Sequence, residues 1–152
     1  MPQSIDNVYL HLVFSTKNRE PWLQGNLLPS MHAYLATVSQ NLNAPAIQVG
    51  GIADHVHILA RFPRTLAIAD WVGKLKSNSS RWLKEQSVTR DHAGFAWQNG
   101  YGVFSISITH LDAAQAYIES QEAHHRKMTF QDEYRGLLKK HGIEIDERYV
   151  WD

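Results

Sequence analysis

Two hydrophobic periods alternate along this chain, and their order leaves few folds open. The run "YLHLVFST", residues 9–16, has the two-residue period of a strand, with Leu10, Leu12 and Phe14 on one side and Tyr9, His11 and Val13 on the other. In "LLPSMHAYLATVSQNLN", Leu28, Met31, Leu35, Val38 and Leu42 fall at helical spacing. "PAIQVGG" predicts a second strand and Gly50-Gly51 a tight turn, after which "ADHVHILA" completes a hairpin. A second helix is expected over "TLAIADWVGKLKSNSSRWLKEQ", capped by Thr65 and striped by Ile68, Trp71, Val72, Leu75 and Leu83. Beyond a turn at Asn99-Gly100, Phe104, Ile106 and Ile108 alternate with Val103, Ser105 and Ser107.

The order is therefore β-α-β-β-α-β, followed by further helices. One is expected over "LDAAQAYIESQEAHHRK", capped by Asp112 with Gln115 three residues on. The last runs from near Thr129 to just before Gly142, a C′ glycine. This is the split-βαβ, ferredoxin-like α+β arrangement: an antiparallel sheet with two helices on one face and the first and third strands central. The helix-covered face would collect Leu10, Leu12, Phe14, Val56, Ile58, Phe104, Ile106 and Ile108. The other would collect His11, His55, His57, Ser105 and Ser107, a polar face that needs a purpose.

At 152 residues and 43% hydrophobic, the chain suits one domain spanning 1–152. Without cysteine, a metal site must be built from His, carboxylate or amide ligands. No apolar run reaches the roughly 20 residues of a spanning helix, and "MPQSIDNVYLHLVF" has no secretory pattern, so a cytoplasmic protein without a membrane partner is expected. Fifteen basic and fifteen acidic residues cancel, which argues against a general nucleic-acid coat. Residues 61–90 are nevertheless locally basic, with Arg61, Arg64, Lys74, Lys76, Arg81, Lys84 and Arg90 against Asp70 and Glu85.

His55 and His57 share one strand face, so both imidazoles can offer lone pairs to one ion, with Asp54 placed to orient them. A lone H-x-H is as readily a satisfied pair on a sheet, and a third ligand must come from elsewhere. Tyr117 and Gln121 lie four apart on one helix face, where Gln121 could give a carbonyl oxygen to a hard cation. His124 and His125 are alternative ligands whose spacing fits that face less well.

Five stretches in order, "HLVFSTKNREP", "DHVHIL", "KLKSNSSRWL", "WQNGYGVFSIS" and "YIESQ", resemble the transposases of the insertion-sequence-200/605 type, the single-tyrosine branch of the HUH endonucleases. The resemblance covers about residues 7 to 130; the tail "IEIDERYVWD" matches no motif. It implies that His55, His57 and Gln121 hold a divalent metal, Mg²⁺ or Mn²⁺, on the face opposite the two helices. It also implies that Tyr117 is the nucleophile and that the substrate is single-stranded DNA with a hairpin, cut through a 5′-phosphotyrosine. A homodimer is implied as well, with active sites that subunits can share, and the Gly94 and Gly100 neighbourhoods flank an edge that could pair across it. Phosphate contacts are expected from Lys17, Arg19, Lys74, Lys76, Arg81 and Lys84, while Trp97 and Tyr101 suit either base stacking or packing. Three other readings share these residues: a host-domesticated relative acting on repeated palindromic sequences, a non-catalytic nucleic-acid-binding module, and a metal-dependent hydrolase using water.

Overall fold

The alternating run after residue 8 forms β1 (Tyr9–Ser15), followed by a single 3₁₀ turn (Lys17–Arg19), in a computed structural model that describes residues 2–86 and 92–152. Arg90, counted above in the basic stretch, lies outside the described residues. The order continues with α1 (Leu27–Asn41), β2 (Ala46–Ile52), β3 (His55–Arg61), α2 (Ile68–Glu85), β4 (Gly102–Ile106), α3 (Leu111–Glu119), α4 (Gln121–His124) and α5 (Phe130–Lys140). The strands form one antiparallel sheet ordered β2-β3-β1-β4, with β1 and β3 in the centre as the ferredoxin-like reading requires.

On one face, Leu10, Leu12, Phe14, Val56 and Ile58 meet Met31 and Leu35 of α1 and Trp71, Val72, Leu75 and Leu83 of α2. All are at most 7% exposed, so this layer carries most of the hydrophobic stabilisation. Two tryptophans bring polar atoms into it, and each finds a serine hydroxyl: Trp71 Nε1 donates to Ser39 at 3.0 Å and Trp97 Nε1 to Ser79 at 2.9 Å. Trp97 is thus a core residue, packed edge-on to Phe14 and Phe95 and unavailable to a base.

The second face is not left to solvent. Val13 and Phe104 pack there with Phe130, Tyr134 and Leu138 of α5, and the unmatched tail joins them through Ile145, Val150 and Trp151. Pairing of His11 with Phe104 and of Leu12 with Val103 puts Phe104 on the histidine face and Val103 on the other, the reverse of the expected β4 assignment. Ser105, opposite Leu10, is reversed with them, and β4 ends before Ser107 and Ile108, which enter a 3₁₀ turn. The physical reason is that both faces are covered, so alternation in β4 no longer tells inside from outside.

Several expected boundaries move. Gly50 and Gly51 belong to β2, and the hairpin turns at Ala53-Asp54. Thr65 does not cap α2, whose N-cap is Ala67, nor does Asp112 cap α3, where it sits in the first turn behind His110. The expected continuous helix after Leu111 breaks at Ser120 into α3 and α4. The final helix agrees with its signals: Thr129 accepts from Asp132 N, and Gly142 at φ +69° closes a Schellman motif through Gly142 N to Lys139 O and Ile143 N to Leu138 O. Among the described residues, no helix is long and apolar enough to cross a membrane.

Gly50 sets how closely the helix carrying Tyr117 approaches the sheet. A Cβ at this position would lie 2.2 Å from the carbonyl oxygen of Ile118, so α3 rests on bare β2 backbone. Gly50→Ala must push α3 outward, an overpacking expected to cost about 1–3 kcal/mol. A lowered urea midpoint checks it; an unchanged midpoint would show that α3 does not need this close seat.

Candidate functional site

β3 presents His55 and His57 side by side toward α3, α4 and α5, with both rings fully buried. The break at Ser120 turns the helix so that Gln121, only 1% exposed, enters the same space. His55 is oriented from outside, its Nδ1 lying 2.8 Å from Asp54 Oδ1. With Nδ1–H donating to that carboxylate, His55 Nε2 is left as a bare acceptor, aimed at Gln121 Oε1 at 3.0 Å. The amide is not turned the other way, because Gln121 Nε2 donates to Glu133 Oε2 at 2.9 Å.

Glu133 of α5 is the residue the sequence analysis missed. It is 3% exposed, and its Oε1 lies 3.0 Å from His57 Nε2, 3.2 Å from His125 Nε2 and 3.5 Å from His55 Nε2. Its Oε2 accepts from the Tyr117 hydroxyl as well as from Gln121. The available signal was the α5 stripe: with Thr129 as cap, Phe130, Glu133, Tyr134, Leu137 and Leu138 fall on one face, and one member of that apolar face is an acid. His125, the alternative judged to fit less well, is inside the cluster; its Nδ1 lies 2.8 Å from Met128 O and its Nε2 2.9 Å from Gln121 Oε1. His124 stays at the edge, 3.5 Å from Glu133 Oε2.

These contacts fit a divalent cation. The ligand atoms of His55, His57, His125 and Glu133 all lie within 4.8 Å of one another. The closest pairs around Gln121 and Glu133, at 2.9–3.5 Å, match the roughly 3.0 Å separation of neighbouring ligands held at about 2.1 Å around one ion. In the neutral ring whose Nδ1–H donates to Asp54, His55 Nε2 and Gln121 Oε1 are two acceptors facing each other, an arrangement that a cation relieves. His11 serves His57 from behind: its Nε2 lies 2.7 Å from His57 Nδ1. When His57 Nε2 donates to Glu133, Nδ1 accepts from His11; when Nε2 is needed as a ligand, the proton belongs on Nδ1 and His11 accepts it.

Tyr117 meets the histidines of its own chain, its ring centroid 5.8 Å from that of His57 and 6.3 Å from that of His11. No residue from a second subunit is needed for these contacts. Burial and the Glu133 hydrogen bond both push the phenol pKa up. Burial by itself would raise the pKa of Glu133, but hydrogen bonds from His125, His57 and Tyr117 hold it far below the usual carboxylate range.

The expected phosphate contacts do not form one surface. Lys17 follows β1 at the end of the sheet where Ser15 pairs with His55, and Arg19 lies over the Trp151 ring. Lys74, Arg81 and Lys84 are exposed on α2, in the layer behind the sheet. Lys76 turns inward, donating to the carbonyls of Gln98, Asn99 and Gly100 at 2.7, 3.2 and 2.7 Å, with Tyr101 beside it. A phosphate contact would forfeit those bonds, so Lys76 braces the turn before β4.

Burial lowers His57 to about 4, against the pull of Glu133, and burial together with His57 lowers His11 to about 3. Below pH 6.5 the unfolded chain therefore takes up protons that these two positions refuse until about pH 4 and about pH 3. Stability must fall on acidification through that window, by about 1.4 kcal/mol per pH unit for each proton. His125 acts in a separate window: burial opposes its charge, but Glu133 and the Met128 carbonyl raise its pKa, so its contribution is lost as pH rises above 6.5. Urea midpoints of the metal-free protein across pH 4–8 are expected to peak near 6.5, and His11→Gln to flatten the acid limb; an acid limb unchanged by that substitution would contradict the assignment.

The family model described as "Transposase IS200 like" matches residues 4–121. The transposases for insertion sequence element IS200 of Salmonella typhimurium and Salmonella typhi are each 29% identical over 80 residues, 53% of this chain and 53% of theirs. The match thus spans about half the length of these curated relatives. In fold, a crystal structure of a protein proposed to be a transposase from Deinococcus radiodurans R1 superposes with a TM-score of 0.63 at 23% identity, covering 80% of this chain and 95% of that one. A REP-associated tyrosine transposase bound to a REP hairpin gives 0.60 at 12% identity, covering 82% and 72%. The family match extends over most of the chain, from before β1 through Gln121, and on that basis this protein belongs to the IS200-like transposase family.

Proposed function

We propose that this protein cuts and rejoins single-stranded DNA at hairpin-marked ends, with Tyr117 as the nucleophile. The observation that carries this reading is that one carboxylate, Glu133, bonds both to the Tyr117 hydroxyl and to the imidazole pair, so nucleophile and cation seat adjoin within one chain. The hairpin substrate rests on the resemblance and on the REP hairpin held by a relative of the same fold.

In the step proposed, Tyr117 Oη forms a bond to the scissile phosphorus and the bond to O3′ breaks, leaving a 5′-phosphotyrosine and a free 3′-OH. Glu133 Oε2, already bonded to the hydroxyl, is placed to take its proton once His57 and His125 cease donating to the carboxylate, since those bonds are what keep it a weak base, and to pass that proton to O3′ as it leaves. His55, His57 and Gln121, with Glu133 and His125 adjoining, would hold a divalent cation, which when bound would neutralise the phosphate charge that otherwise repels a nucleophile. Asp54 and His11 fix the tautomers of the two imidazoles, and Phe130, stacked 4.6 Å from His55, keeps water away from that ring. Covalent storage conserves the bond, so a second 3′-OH can reverse the step onto another strand.

Lys17 and Arg19, at the His55 end of the sheet, are the proposed phosphate contacts near the centre, while Lys74, Arg81 and Lys84 would meet DNA passing behind it. The homodimer implied by the resemblance is part of this reading, each subunit carrying its own full set of residues. Light scattering on the purified chain tests it, and a monomer at working concentration would remove it.

Incubation with end-labelled hairpin DNA and Mn²⁺, followed by denaturing electrophoresis, is expected to show a protein–DNA adduct. Both an element-end hairpin and a repeated palindrome should be offered, since the mobile and domesticated readings share this chemistry. Tyr117→Phe, which keeps the ring packing, should lower adduct formation by at least about 10³-fold, and a chelator should abolish it. Product without bound protein would favour the hydrolase; binding without cutting would favour the non-catalytic module. Independently of activity, Mn²⁺ should raise the Tm of the wild type but not of His57→Gln.

A further inference from the structure

The catalytic cluster is closed over most of its surroundings: His55 and His57 are fully buried, and Gln121 and Glu133 are 1% and 3% exposed. Tyr117, like His125 on the other side, is half-buried, and it forms part of the wall of a cavity of about 490 Å³. That cavity lies between the β4 edge at Ser105 and Ile106, the first turns of α3, and the end of α5. We propose that it is a nucleotide subsite holding one unstacked deoxynucleotide next to the scissile phosphate. This inference rests on the strand-cleavage reading.

The size falls within the roughly 300–1,000 Å³ of small-molecule sites. Its walls are mainly apolar, with Ile106, Ala113 and Leu137 beside the Tyr117 ring, suiting a base and its sugar. Lys140 adds a cation that makes no ion pair among the described residues, and no Asp or Glu lines the cavity. Two other cavities differ in this respect. One reaches the cluster from the His125 side, where Arg126 and Lys127 are offset by Asp54 and Asp132 in the same lining; the one around Arg61 and Arg64 has both guanidinium groups paired with Asp6. A nucleotide phosphate therefore has its most favourable seat beside Tyr117, where a lysine meets no lining acid. A space for one nucleotide also selects against a duplex, whose bases would first have to leave the stack.

The test is an NMR titration of the ¹⁵N-labelled full chain, metal-free, with dAMP, dCMP, dGMP and dTMP, and with inorganic phosphate as control. At least one nucleotide should give saturable shifts at the amides of Ser105, Ala113 and Lys140, with phosphate weaker. Ala113→Trp places an indole from an exposed helix position into the cavity and should abolish them. Lys140→Gln should weaken the monophosphate by about three- to fivefold while leaving the corresponding deoxynucleoside unchanged. No shift with any nucleotide, equal shifts with phosphate alone, or shifts indifferent to Ala113→Trp in a variant that melts like the wild type would each overturn the subsite. If DNA adducts form in the electrophoretic assay while the cavity binds nothing, the subsite fails alone. If nucleotides bind there and no adduct forms, strand cleavage fails while the cavity stands as a nucleotide site.

Discussion

A carboxylate buried between a sheet and three helices is costly unless nearly every lone pair is used, and Glu133 meets that condition. It gathers the imidazoles of His57 and His125, the Tyr117 hydroxyl and the Gln121 amide around two oxygens. Those partners come from β3, α3, α4 and the turn that follows α4, while the acid itself comes from α5. Removing the acid would leave several buried donors unpaired at once, so the layer that carries the candidate site stands or falls with it. The same contact brings the proposed nucleophile, Tyr117, together with the candidate cation ligands.

The sheet supplies the rigid side of this arrangement. Pairing of Val13 with His57 and of Ser15 with His55 sets the two imidazoles beside the central strand, where neither can slip without turning every side chain to the opposite face. Behind them, α1 and α2 bury an ordinary apolar core that takes no direct part in the chemistry. In front, the covering layer is built from short helices, and its tightest point is Gly50, where α3 lies against bare strand backbone. The division is physical: one face pays for folding, and the other can then hold polar groups that an unsupported layer could not afford to bury.

The two periods along the chain were enough to read the β-α-β-β-α-β order and the central place of β1 and β3, because each strand and helix carries its own pattern. They were not enough for β4. Phe104 and Val103 each have a buried or half-buried face to join, and only pairing with His11 and Leu12 decides between them. Lys76 shows a similar limit. By sequence it is one lysine in a basic stretch, whereas the fold brings three carbonyls from the 98–100 turn around its ammonium.

By itself the sequence determined what is local: that His55 and His57 share a face, and that Thr129 and Gly142 bound the last helix. Strand and helix geometry follow from neighbours a few residues away, and no distant contact is required to state them. The tertiary structure alone decided that Glu133 joins this set, 76 residues along the chain from His57, and that His11 supports it from the adjacent strand. Such meetings depend on how layers stack and how strands register. These are properties of the whole packed chain, and no short stretch of it encodes them.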